Sequence, residues 1–134
     1  MRALLALAAC SLVFCACDST SAVVAPGKVV VSASSVNSDL HLVVNASNTA
    51  LNLNSVTLHL LSGENVGGPS VTYPQAGLTS LFGSTVIVRG GSRSFVFRPP
   101  FGCTAMRPCT LRADVTVIDG SGMPQVTSTT TTMP

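Results

Sequence analysis

The chain has 134 residues, enough for one domain around one core. Charged residues make up only 9% of it and the formal net charge is +2, which excludes an electrostatic nucleic-acid binder. Val, Leu, Ser, Thr and Gly dominate instead, a mixture that suits strands and tight turns better than helices.

Met1 and Arg2 make a short cationic start. Residues 3–16 are apolar apart from Ser11 and carry no charge, and polar residues begin abruptly at Asp18. Such a layout is that of a secretory signal peptide. The apolar run is about 14 residues, short of the roughly 20 that span a bilayer as a helix. No later run is longer, so the chain is expected to cross a membrane without spanning it.

There are five cysteines, Cys10, Cys15, Cys17, Cys103 and Cys109, and an odd count in an exported protein needs a reason. The segment Phe14-Cys15-Ala16-Cys17 resembles the end of a bacterial lipoprotein signal peptide. There an aliphatic residue and one or two small ones precede the cysteine that receives the lipid. Ala16 and Cys17 fit; Phe14 stands where Leu is usual. Leu7-Ala8-Ala9-Cys10 fits the letters better, but cleavage there would leave too short a leader. The resemblance implies a signal peptide over 1–16, lipidation at Cys17 and a tether over 17–27. It also implies a lipid-anchored protein of the bacterial cell envelope, periplasmic or on the outer surface, with the membrane as a partner. Cys10 and Cys15 then leave with the leader. Cys103 and Cys109 remain, and in an oxidising compartment they are expected to pair. The ring is short, so the bond is expected to shape a loop rather than hold the fold. The alternative is ordinary cleavage near Ala16 or Ser21, which would release a soluble secreted protein.

The domain is read over 28–134. Val29, Val30 and Val31 open a strand. Leu40, Leu42 and Val44 alternate with His41, Val43 and Asn45; Val56, Leu58 and Leu60 alternate with Thr57, His59 and Leu61. Both runs have the period of two of a half-buried strand. The Asn-rich residues 45–54 between them read as a turn. Residues 63–83 are irregular, with a short edge strand at 70–73. Gly90-Gly91 reads as a hairpin turn pairing Val86 with Phe95, both facing the core. Pro99-Pro100 ends that strand. Leu111, Ala113, Val115 and Val117 face the core, alternating with Arg112, Asp114, Thr116 and Ile118. Residues 119–122 turn the chain into a last strand at 126–132. No stretch of ten residues carries a helical period. Seven or eight short strands with turns between them predict an all-β fold. Their order and size resemble an immunoglobulin-like antiparallel β-sandwich of about seven strands, without the Cys–Trp–Cys core.

Little in the chain suggests catalysis. Asp39, Glu64, Asp114 and Asp119 form no tight motif, and there is no nucleophile elbow or phosphate loop, so no catalytic residue and no cofactor is assigned. A hairpin about Ala50 would set His41 opposite His59, but two ligands fall short of the usual three or four, and such strands often lie in different sheets. No metal site is assigned. Residues 119–122 read as a plain turn rather than a calcium loop. Arg89, Arg93, Arg98, Arg107 and Arg112 crowd one stretch and read as scattered solvating residues; on a shared face they would make a basic patch. Sugar binding would need exposed rings from among Tyr73, Phe82, Phe95, Phe97 and Phe101. The predicted contact surface is Arg98, Met106, Arg107 and Arg112, around the loop that joins the strands ending at Arg98 and beginning near Thr110. The expected function is a non-enzymatic interaction or accessory module meeting an unidentified envelope protein or ligand; the alternative is a small-ligand or carbohydrate-binding domain.

Overall fold

A computed structural model describes residues 29–61 and 68–133. The leader over 1–16, the tether over 17–27, and Cys10, Cys15 and Cys17 lie outside the described residues. The order is β1 (Val29–Val36), β2 (Asp39–Ala46), β3 (Leu51–Leu60), β4 (Ser70–Pro74), α1 (Gln75–Phe82), β5 (Val86–Ile87), β6 (Ser92–Phe97), β7 (Cys109–Asp119) and β8 (Pro124–Met133). One antiparallel sheet runs β1-β2-β6; the other runs β4-β3-β7-β8, with β5 also paired to β3. The two antiparallel sheets pack together, so the expected all-β sandwich is present, with eight strands.

Period-two patterning builds both inner faces. Leu40, Leu42, Val44 and Ala46 of β2 and Leu111, Ala113, Val115 and Val117 of β7 are buried, with their neighbours outward. Phe95 and Phe97 of β6 complete the first sheet's contribution. The β1–β2 hairpin turns through Asn37 and Ser38, both at positive φ (51° and 66°), as a two-residue primed turn requires. On the opposite side of the sandwich edge β1 lies along β8, and the Ser35 hydroxyl donates to Thr132 O at 3.0 Å.

Three readings of the sequence are corrected. First, β3 begins at Leu51, inside the stretch read as a turn. A bulge between Leu53 and Ser55 shifts its register, so Leu51 and Leu53 are buried and then Val56 and Leu58. One extra residue resets the alternation, which hides the strand from a period-two reading. Second, Val86 does not pair with Phe95. Asn52 is its partner, Ile87 pairs with Leu51, and Phe95 pairs with Leu42 in the other sheet. Gly90 (φ 71°) and Gly91 do turn the chain, with Gly91 N donating to Val88 O at 2.9 Å, but the turn arches from one sheet to the other. Val86 is therefore exposed, while Ile87 enters the core.

Third, α1 was not expected. It starts directly after Pro74 and ends where Gly83 (φ 75°) donates its N–H to Thr79 O. Of its eight residues only Leu78 is buried, too little for an amphipathic period to show. Its last residue, Phe82, stands edge-on to Phe95 and Phe97 (centroids 5.1 and 5.3 Å), and Tyr73 of β4 stacks obliquely on Phe97 at 4.9 Å. Arg93 closes the same side. It donates to Phe82 O at 3.1 Å and Val86 O at 3.4 Å, with its guanidinium 5.0 Å from the Phe95 ring centre. Here the helix, rather than a further strand, seals the space between β4 and β6.

Candidate functional site

The loop between β6 and β7 sits at the end of the sandwich where β1 turns into β2, because Phe97 pairs with Leu40 and Cys109 with Met133. Two prolines, Pro99 and Pro100, stop β6 and keep the chain out of the ladder. Cys103 and Cys109 are disulfide-bonded, with Cα atoms 5.4 Å apart. Inside this ring Thr104 N donates to Arg107 O at 3.1 Å and Arg107 N to Thr104 O at 3.0 Å; the Thr104 hydroxyl also accepts from Arg107 N. Ala105 and Met106 are thereby held at the tip of a tight turn. Met106 is 95% exposed. The chain-entropy argument gives so short a ring about 2 kcal/mol, so the bond chiefly fixes the turn.

The four residues of the predicted contact surface do not stand alike. Met106 and Arg107 are exposed on the turn. Arg98, at the same end, pairs with Asp39 at 3.1 Å. Arg112 lies on the outer face of the second sheet, donating to Asp114 at 2.8 Å and to the Ser128 hydroxyl at 3.4 Å. The five arginines of this stretch share no face: Arg89 and Arg93 lie toward the other end of the sandwich. A shallow groove of about 680 Å³ borders the loop, lined among the described residues chiefly by Leu60, Pro69, Phe101, Arg107 and Pro108.

Sequence reasoning missed a polar cluster on the outer face of the second sheet. Asp114 accepts from Arg112, from the Ser128 hydroxyl at 2.6 Å, and meets His59 Nε2 at 2.9 Å. Arg112 and Asp114, two apart on one strand, were readable as sharing a face; His59 and Ser128 needed the register. Ser128 donates to the carboxylate and not to the imidazole, the wrong order for activating a hydroxyl nucleophile. His41 lies on β2 and His59 on β3, in different sheets, so no hairpin brings them together. Among the described residues no three His, Cys, Asp or Glu side chains gather to hold a metal ion. Asp119 accepts from the amides of Ser121 (2.9 Å) and Met123 (3.1 Å) and from the Ser121 hydroxyl, which makes residues 119–122 a side-chain-capped hairpin turn. These bonds, Ser121's hydroxyl first, hold its carboxyl below the ordinary 3.8. Phe95 and Phe97 are buried, and Tyr73, Phe82 and Phe101 pack partly buried against the core, which leaves no exposed ring for stacking a sugar among the described residues.

Burial acts to raise the Asp114 pKa, but the hydrogen bonds from Ser128, Arg112 and His59 outweigh it and hold the carboxyl below its ordinary 3.8. A folded-state pKa below the unfolded one stabilises the fold above the unfolded value and is lost as pH falls through the folded value. Asp114→Asn is therefore expected to lower stability at pH 7, and the difference from wild type to shrink below about pH 4. Denaturant melts across that range check this; a difference constant with pH would contradict it.

No family model and no curated protein matches this chain.

Proposed function

We propose that this chain is a lipid-anchored cell-envelope protein whose immunoglobulin-like sandwich is a non-enzymatic interaction module, presenting the disulfide-closed turn as its contact surface. One observation carries the reading: Met106, almost fully exposed, stands on a turn fixed by both a covalent bond and reciprocal backbone hydrogen bonds. Ordering a loop before binding removes much of the entropic cost of association. A methionine adapts its flexible, polarisable side chain to an apolar pocket, and Arg107 beside it offers a charge with no ion-pair partner among the described residues. The lipid on Cys17 would hold the module at the membrane, and the disulfide accords with an oxidising compartment.

The test is site-specific photo-crosslinking in intact cells. A crosslinker in place of Met106 is expected to trap a discrete envelope protein, and Arg107→Glu to abolish that product. The same crosslinker in place of Ser94, on the outer face of the first sheet, should trap nothing comparable. Equal products at both positions, or none at Met106, would overturn the assignment of this turn.

A further inference from the structure

The two ends of the sandwich expose different chemistry. Val29, where the chain enters the domain, pairs with Ala46, and Ala46 N donates to Gly91 O at 2.9 Å. Leu51 pairs with both Ile87 and Asp119, the residues from which the β5–β6 and β7–β8 turns depart. These two turns and the chain entry therefore share one end. At the turn tips Val88 is 66% and Met123 61% exposed. Val86 and Leu81 are exposed along the adjoining β5 and α1. Arg89 is exposed between them and has no acidic partner among the described residues, since Asp119 is bound within its own turn.

We propose that this end of the domain rests on the phospholipid surface, with Val88 and Met123 entering the headgroup layer and Arg89 meeting lipid phosphate. The inference builds on the lipid-anchor reading of Cys17. The length of chain ahead of Val29 chooses the occupant. Residues 17–28 number twelve, and twelve residues of chain reach at most about 40 Å. A chain that leaves the membrane at Cys17 and enters the domain at Val29 gives this end a higher effective concentration at the bilayer than the opposite end, which consumes about 25 Å more of the reach. Apolar side chains at loop tips beside an unpaired cation are what an interfacial contact with anionic lipid requires. The eight residues of β1 then place the disulfide-closed turn about 25 Å further out, facing away from the membrane.

The experiment uses the full chain, recovered from bacterial membranes and reconstituted into vesicles of phosphatidylethanolamine and phosphatidylglycerol with acyl chains brominated near the glycerol. An environment-insensitive fluorophore is attached in turn to Val88→Cys, Met123→Cys and Met106→Cys. Side chains seated about 5–10 Å into the interface should lose about half their fluorescence at the first two positions and none at the third. Protein that carries fatty acid and stays on the vesicles, yet shows the same fluorescence at all three positions, overturns this inference and leaves the anchor standing. Protein without fatty acid that fails to associate with vesicles overturns the anchor reading, and this inference with it.

Discussion

Val115→Asp is expected to unfold most of the molecule at temperatures where the wild type is stable. Val115 is fully buried in the middle of β7, facing Val56 across the ladder with the first sheet's side chains above it. A carboxylate there finds neither water nor a partner. The loss should be at least about 3 kcal/mol, of a total that for a domain of this size is about 5–15 kcal/mol. Ile118→Asp, three residues on, is the matched control. Ile118 is only half-buried, opposite Asn52 and Pro124 on the outward face, so its carboxylate keeps access to solvent. Thermal or denaturant melts that place the two variants together would show that the inner and outer faces of β7 are assigned wrongly.

Phe97→Ala should have the second largest effect. Phe97 is the ring on which Tyr73 of β4 and Phe82 of α1 both lean, so it joins the first sheet to the helix that closes the open side of the sandwich. Truncating a buried Phe costs about 3–5 kcal/mol through lost transfer energy and the cavity left behind. Part of the loss should be local. Hydrogen exchange at the amides of α1 should accelerate more than at those of the β2 centre, because the helix buries only Leu78 and depends on the aromatic contact. Phe97→Leu retains most of the volume and is expected to recover more than half of the lost stability. Exchange that accelerates uniformly over both sheets would deny the helix this dependence.

The parts of the fold that were legible in the sequence are those in which one strand decides its own pattern. The alternation of Leu40, Leu42 and Val44, and of Leu111, Ala113, Val115 and Val117, fixes which face of β2 and β7 is buried regardless of neighbours. What sequence could not show depends on pairing. The bulge in β3 breaks its alternation, and the two residues of β5 are too few to declare which sheet they join. The Gly-Gly pair reads as a hairpin because glycine can take the positive φ of a primed turn, but only Gly90 does so, beside Arg89 at the centre of a Val88–Gly91 turn; where the next strand goes is settled by core packing. The short helix was hidden because its anchor is an aromatic contact from Phe82 to Phe95 and Phe97 on another element rather than a stripe along its own length. The disulfide-closed loop was legible through its cysteines and prolines. The Asp114 cluster was only half so, since two of its members come from other strands.

The proposed orientation, one end membrane-seated and the other outward-facing, hangs on the proposed lipidation of Cys17. Metabolic labelling with a radioactive or clickable fatty acid tests it most directly, in cells producing wild type, Cys17→Ser and Cys10→Ser. The account predicts label on wild type and on Cys10→Ser, and for Cys17→Ser no label and movement from the membrane to the soluble fraction. Unchanged labelling of Cys17→Ser, or label lost only in Cys10→Ser, would contradict it.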